Sequence, residues 1–254
     1  MVPVTVGTIL NQTFAIFFRG LGTLVGISLV VHTPVLLGSL VFFFAPLPQG
    51  TETLVQYGSS LFFTPLATAA LVHAVFQLSR EREASVGAGL RVAFSRFWAV
   101  VGLTILLSLI YVAGLLACCV PGFIAYAGLF VAMPVLIVER SRVGQTFDRS
   151  WNLTTDYKLT TFGTAFVLWL ISVAFAAFFI VAALAVLGVG LGSFSDPAAM
   201  AESSQTVRGS LLLLQLLLEV PLTALGATAA AVAYYQLRQL KEGLGEHELL
   251  AVFE

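Results

Sequence analysis

The stretch 97–138 reads FWAVVGLTILLSLIYVAGLLACCVPGFIAYAGLFVAMPVLIV, and none of its 42 residues is charged. A membrane-spanning helix needs about 20 apolar residues, so this run is long enough for two. Its middle holds Cys119-Val120-Pro121-Gly122, and a Pro-Gly pair is typical of a turn. The stretch therefore predicts a helical hairpin that crosses a membrane twice.

Further charge-poor runs flank this hairpin. Residues 20–51, 53–79 and 159–195 contain no Asp, Glu, Lys or Arg, and residues 209–237 contain only Glu219. With one helix in each run, the sequence predicts an all-α integral membrane protein whose residues 1–254 form a single membrane domain. The six transmembrane helices are expected near 22–44, 54–78, 98–118, 122–138, 160–189 and 210–237.

The composition excludes several other classes of protein. Hydrophobic residues make up 59% of the 254 positions and charged residues 10%, whereas soluble domains are about 25% charged. The mean hydropathy is +0.99. A formal net charge of −1 provides no basic excess for nucleic acid. The two cysteines, Cys118 and Cys119, are adjacent, which excludes a disulfide framework and a cysteine-based zinc site.

The distribution of Lys and Arg predicts the orientation in the membrane. Six helices place both termini on one side, and that side holds eleven of the twelve Lys and Arg residues, with Arg208 on the other. Cytoplasmic loops carry the excess of Lys and Arg, so both termini are predicted to be cytoplasmic. The stretch before Arg19 lacks the basic start of a cleavable signal peptide, so residues 1–20 are expected to belong to the mature protein.

Three segments that precede outward-going helices share one spacing. Each begins with Val-Gly and has large apolar side chains four and eight residues after the valine, which places all three on one helical face. These amphipathic segments, 5–19, 85–97 and 143–156, are predicted to be helices in the cytoplasmic membrane interface. Thr5 and Ser85 are the predicted N-caps of the first two. The repeated sets are Val6, Leu10 and Phe14; Val86, Leu90 and Phe94; and Val143, Phe147 and Trp151.

This spacing predicts an internal repeat. Each unit would be an interfacial helix, a helix out and a helix back, so the six transmembrane helices form three parallel hairpin units. The alternative is that any interfacial helix shows this spacing. The predicted units are 1–80, 81–140 and 141–243, followed by a short cytoplasmic tail, 244–254.

Three strings of residues resemble a known family. They are Val6-Gly7-x-x-Leu10-x-x-Thr13-Phe14; Pro134 and Glu139 followed by Phe147-Asp148-Arg149-Ser150-Trp151; and Tyr234-Tyr235-Gln236-Leu237-Arg238-x-x-Lys241-Glu242-Gly243. On these strings the chain resembles the glycerophosphoryl diester phosphodiesterase membrane-domain family of prokaryotic multi-pass proteins. Family members often have Asp where this chain has Gln236. The resemblance implies a helical module of the prokaryotic cytoplasmic membrane, and the catalytic domain for which the family is named is absent from these 254 residues.

Two ionisable residues lie inside predicted transmembrane helices. His32 follows the start of the first helix by ten residues, and Glu219 follows the start of the sixth by nine. At 1.5 Å per residue each lies on the order of 14 Å deep, near the middle of a 30 Å core. Such residues usually pair, so a His32–Glu219 contact is predicted. The alternative is that each bonds separately to the main chain or to Ser and Thr.

Five cations on the cytoplasmic side are candidate contacts for lipid head groups or for a partner. Anionic lipid phosphates attract Lys and Arg near the membrane surface, although the same residues also serve as ordinary topogenic charge. Tyr234 and Tyr235 are expected at the membrane interface. The candidate cations are Arg91, Arg96, Arg149, Arg238 and Lys241.

The sequence contains no arrangement typical of catalysis. His32, His73 and His247 are scattered, and no local metal, nucleophile or phosphate-binding motif is present. We therefore expect a non-enzymatic multi-pass membrane module without a cofactor or metal, which binds membrane lipids or a partner membrane protein, including a second copy of itself. The alternative is a transporter or channel for a lipid or another largely apolar substrate, because such a path needs few charges.

Overall fold

The computed structural model describes residues 4–44, 51–80, 82–117, 119–187 and 205–243. Over these ranges the chain forms ten helices and no strand. In chain order they are α1 Val6–Arg19, α2 Leu21–Phe44, α3 Thr51–Ser79, α4 Val86–Ser95, α5 Phe97–Ala117, α6 Cys119–Gly128, α7 Ala132–Val138, α8 Val143–Thr154, α9 Lys158–Leu187 and α10 Gln205–Glu242. The predicted tail 244–254 lies outside the described residues.

Six segments of the described chain are long and apolar enough to cross a membrane, which confirms the predicted number. The chain is therefore an all-helical protein with the character of a multi-pass membrane protein. The segments are Leu21–Gly38, Leu61–Ser79, Phe97–Ala117, Val120–Val138, Lys158–Ala183 and Leu217–Glu242.

Contacts between side chains and main chain bring the Lys- and Arg-rich ends of these segments together. Arg19, the last residue of α1 and just before α2, donates to the carbonyl of Leu78 at the end of α3, with an N–O distance of 2.6 Å. Lys241, at the end of α10, donates to the carbonyl of Asn152 in α8, also at 2.6 Å. We call this end of the bundle the basic end.

The connection between α5 and α6 differs from the predicted turn. The sequence predicts a turn at 119–122, but α6 already begins at Cys119, and Pro121 lies in its first turn. Proline is tolerated there because the first N–H groups of a helix have no partner within the helix. Gly114 and Gly122 let the two helices approach closely, since a Cβ on Gly114 would lie 2.7 Å from the Cα of Gly122.

The fourth spanning segment is broken, whereas the sequence predicts one helix over 122–138. The main chain leaves helical geometry at residues 129–131, between α6 and α7. Hydroxyl groups from α8 and α9 bind carbonyls at this break. Thr161 donates to the carbonyl of Ala127 at 2.9 Å, and Ser150 and Thr154 donate to that of Gly128 at 3.0 and 2.9 Å. These side chains supply hydrogen bonds where the helical pattern is interrupted.

The spanning helices differ widely in how much of their surface the bundle covers. In α10, 61% of the spanning window is buried, and α10 packs against α1, α2, α3 and α9. In α9 only 11% of the window is buried. The buried face of α10 is rich in alanine, and small residues allow membrane helices to pack closely. We therefore place α10 at the centre of the bundle and α9 at its periphery.

The three short helices α1, α4 and α8 occupy the predicted amphipathic segments. The hydroxyl of Thr5 accepts a hydrogen bond from the N–H of Thr8 at 3.2 Å, as an N-cap does, but Ser85 makes no such bond. The predicted apolar stripe, at the valine and four and eight residues after it, is only half-buried or exposed. In all three helices the positions three and seven residues after the valine are buried, and α1 and α8 bury further residues toward their C-terminal ends. The buried positions that the three helices share are Ile9 and Thr13, Gly89 and Ala93, and Thr146 and Ser150.

Candidate functional site

Four ionised side chains and one hydroxyl form a closed ring at the basic end. Glu139, just after α7, accepts hydrogen bonds from Nε of Arg149 at 3.0 Å and from the hydroxyl of Tyr234 at 2.8 Å. Arg238 donates to that same hydroxyl at 2.9 Å and to Glu242 at 2.7 Å. Glu242 also pairs with Arg149, which closes the ring. We call these five residues the ion-pair ring.

The ion-pair ring joins three helices through groups that are largely withdrawn from water. Tyr234 is 1% exposed and packs edge-on against Phe76, with ring centroids 5.8 Å apart. Arg238 is 7% exposed. Burial lowers the pKa of Arg149, but its hydrogen bonds to Glu242 and Glu139 outweigh that effect, and the pKa is raised overall. Arg149 therefore stays charged and holds α8 against α7 and α10.

A cavity of about 480 Å³ lies beside the ion-pair ring. Four arginines and one glutamate contribute to its walls, so the charge of the lining is positive. Apolar side chains from α3, α4 and α7 complete it. We call this space the basic cavity. Its lining consists of His73, Phe76, Gln77, Arg80, Val92, Ile137, Val138, Glu139, Arg140, Arg149 and Arg238.

Arg140 stands on the rim of the basic cavity in an unusual conformation. Its φ is 50°, in the left-handed region that residues with a Cβ rarely adopt. Its carbonyl accepts a hydrogen bond from Arg96 at 2.9 Å. A bulky residue in this region costs about 1–2 kcal/mol, so the fold holds an exposed cation here against its backbone preference.

The structure places the five predicted surface cations in different roles. Arg149 and Arg238 belong to the ion-pair ring and line the basic cavity. Lys241 pairs with Asp156 at 2.9 Å, and its other contact is the Asn152 carbonyl. Arg91 is exposed on α4, outside the cavity lining.

Arg96 binds main chain instead of projecting toward a head group. Its guanidinium donates to the carbonyls of Leu136, Arg140 and Ser141 at 2.7, 2.9 and 3.1 Å. Partial burial and the nearby charge of Arg140 lower its pKa. A cation at the end of a helix satisfies its last carbonyls, so Arg96 caps α7.

The second candidate site lies among α2, α3 and α10. The structure brings His32 and Glu219 together, with 3.8 Å between Nε2 and Oε1. A third residue, absent from the sequence prediction, completes the cluster, because the hydroxyl of Thr64 donates to Oε1 of Glu219 at 2.7 Å. The side chain of His32 is 2% exposed and that of Glu219 is 27% exposed.

Several residues of these sites went unrecognised in the sequence, although signals for them exist. The sequence predicts Tyr234 at the membrane interface, whereas its side chain is buried within the bundle. It is spaced four and eight residues from Arg238 and Glu242, which places all three on one face of α10. For the site formed by His32, Thr64 and Glu219, the signal in the sequence is a proline close after each residue. His32, Thr64 and Glu219 each precede a proline by one or two positions, namely Pro34, Pro65 and Pro221.

The described residues contain no group of three or more His, Cys, Asp or Glu side chains positioned to hold a metal ion. The first site is thus a set of paired charges with an adjoining cavity. The second is a contact between a buried histidine and a partly buried glutamate. No protein-family profile, curated protein or solved structure matches the chain.

Proposed function

We propose that this chain is a non-enzymatic multi-pass membrane protein that binds anionic lipid, with the phosphate of the head group in the basic cavity. The observation that carries the proposal is a cavity of about 480 Å³ lined by four arginines and one glutamate, at the ends of the spanning helices. Arginine matches phosphate oxygens in geometry as well as charge. The exposed apolar surface of α9 and α5 is available to acyl chains or to another membrane protein, including a second copy of this chain.

The orientation and the repeat belong to the same proposal. We infer that the basic end faces the cytoplasm of a prokaryotic cell and that α1, α4 and α8 lie in the membrane interface, each preceding one of three hairpin units. The matching burial three and seven residues after Val6, Val86 and Val143 supports the repeat. Reporter fusions after Glu254 and within 195–205 test the orientation, since they should label opposite sides of the membrane.

The resemblance to the glycerophosphoryl diester phosphodiesterase membrane-domain family agrees with this interpretation. Two of the strings that carry the resemblance, separated by more than eighty residues, contribute all five members of the ion-pair ring. We propose that the chain belongs to that family. We also propose that the ion-pair ring is common to its members and holds the helices together at the basic end.

A lipid transporter remains the second candidate. Discontinuous helices are typical of transporters, and the break at residues 129–131 in the fourth spanning segment is one specific observation in its favour. Transport of a phospholipid from vesicles by the purified chain would favour this candidate over a protein that only binds.

Native mass spectrometry tests the binding proposal. The chain is released from nanodiscs of phosphatidylglycerol and phosphatidylcholine in equal amounts, and we expect preferential retention of the anionic lipid. Arg140→Asn should reduce that preference several-fold, because it removes a cavity cation. Arg91→Asn is the matched control, since it removes an exposed cation outside the cavity. Equal retention of the two lipids by the wild type, or equal losses in the two variants, would contradict the assignment of the cavity.

A further inference from the structure

The contact between His32 and Glu219 contains a buried polar atom whose hydrogen bonding is incomplete. Within the described part of the chain, Nε2 of His32 has no hydrogen-bond partner, although Oε1 of Glu219 lies 3.8 Å away. Buried polar atoms are nearly always hydrogen-bonded, so this exception needs an explanation. A gap of 3.8 Å is too short to admit a water between the two atoms.

The other ring nitrogen fixes where the first proton of His32 resides. Nδ1 lies 2.8 Å from the carbonyl oxygen of Ser28. A carbonyl only accepts hydrogen bonds, so Nδ1 carries a hydrogen. In a neutral ring, Nε2 then presents its lone pair to Glu219. Whether a further proton lies between Nε2 and the carboxyl group decides whether His32 and Glu219 attract or repel each other.

We propose that His32 and Glu219 form a proton-binding site that holds one proton in the gap between Nε2 and the carboxyl group. With no proton there, a lone pair faces an ionised carboxylate and a net negative charge is buried. With two protons, a net positive charge is buried. One proton leaves the pair neutral overall, either as imidazolium with carboxylate or as imidazole with carboxylic acid, and uncompensated charge is costly at this level of a membrane. The proton belongs to the pair and not to either residue alone.

Among the side chains that the structure describes, none provides another charge to balance the pair. The helices that pack against α2 and α10 are α1, α3, α4, α7, α8 and α9. Among their described side chains, α3 contributes only the Thr64 hydroxyl, and the ionisable group that acts on either member of the pair is the other member. At 1.5 Å per residue, His32 lies about 16 Å along α2 from its first residue, Leu21, and Glu219 lies about 28 Å along α10 from Arg238. The site is therefore far from the ion-pair ring.

Counting protons on the pair tests the proposal. The full chain is labelled with ¹⁵N-histidine, placed in nanodiscs at neutral pH and examined by nitrogen NMR for the state of His32. Infrared spectroscopy of the same sample reports whether Glu219 is a carboxylic acid. Signals are assigned by their loss in His32→Gln and Glu219→Gln, and His73→Gln is the matched control that must leave both signals unchanged.

Of the possible protonation states of His32 and Glu219, two support the proposed proton-binding site and the others overturn it. We expect Nδ1 to be protonated, together with either imidazolium and carboxylate or neutral imidazole and carboxylic acid. Neutral imidazole with an ionised carboxylate would overturn the proposal, as would imidazolium with carboxylic acid. Because the wild-type chain alone supplies the proton count, a variant that fails to fold affects only the assignment. The result is also independent of lipid retention in the basic cavity.

Discussion

The ion-pair ring and the His32–Glu219 pair both hold α10 to its neighbours, but they do so in different ways. In the ring, Glu139 has two partners and Arg149 is shared between two carboxylates, so no single proton decides the interaction. In the pair, one nitrogen faces one carboxyl group across 3.8 Å. A closed ring of alternating charge is suited to fixing helices in place, whereas a two-member contact can change state when one proton enters or leaves.

The largest expected effect comes from opening the ring. Glu139→Ala removes the acceptor of both Arg149 and the buried hydroxyl of Tyr234. Removing one partner of a buried ion pair costs about 3 kcal/mol, and the carboxylate of Glu139 is only 18% exposed. Unfolding in detergent by a graded denaturant measures this loss. Glu139→Gln keeps an oxygen for Tyr234 and should lose about half as much. If neither variant loses more than about 0.5 kcal/mol, the ring does not stabilise the bundle.

A smaller loss is expected at the pair. Glu219→Ala leaves His32 without its partner, and stranding a buried polar group costs about 2 kcal/mol. His32→Leu in the same chain should recover part of that loss, since no ionisable group then remains in the gap. A double-mutant cycle of unfolding free energies measures the coupling, which we expect to be about 1 kcal/mol. Strictly additive losses would show that the two residues do not interact.

Relief of backbone strain should move stability in the opposite direction. Arg140→Asn places a residue that tolerates the left-handed region where φ is 50°, and it also removes a charge near Arg96. We expect a gain of about 0.5–1 kcal/mol in detergent without anionic lipid. Arg140→Ala is the contrast, because alanine removes the charge but keeps a Cβ at positive φ. If the alanine variant gains as much as the asparagine variant, charge and not strain is the cause.

The smallest effect is expected where a pair is open to water. Asp156 is 69% exposed in its contact with Lys241. Exposed ion pairs contribute about 0–0.5 kcal/mol, so Asp156→Asn should leave the unfolding midpoint almost unchanged. The same denaturation series provides the measurement, and a loss comparable to that of Glu219→Ala would contradict the distinction between buried and exposed pairs.

The sequence predicts the number of spanning helices much better than rotation about a helix axis. Helical rise alone predicts that His32 and Glu219 lie at similar levels of the bundle, which agrees with their contact, because rise per residue is nearly constant. It says nothing about which residue of α3 faces them, so Thr64 was not predicted. On α1 the predicted stripe, Val6, Leu10 and Phe14, is half-buried beside the fully buried Ile9 and Thr13. The spacing identifies an apolar face but does not say whether that face packs on the bundle or on acyl chains.

Local sequence patterns do not predict hydrogen bonds between residues that lie far apart in the chain. The break in the fourth spanning segment depends on Thr161, which lies 34 residues after the carbonyl that it binds. The sequence shows only the charge of Arg96, which makes this residue a candidate for head-group binding. Its three carbonyl partners lie 40 to 45 residues away in the chain, so no local pattern indicates them. Fold class follows from composition, but these contacts follow only from the packing of α5, α7, α8 and α9.

The break between α6 and α7 also bears on the order in which the chain is assembled during synthesis. The carbonyls of Ala127 and Gly128 emerge from the ribosome before the hydroxyls that bind them, which follow 22 to 34 residues later. Until α8 and the start of α9 arrive, a main chain bent at residues 129–131 has no protein donor from those helices. The nascent fourth segment therefore acquires these hydrogen bonds only after α8 and the start of α9 have been synthesised.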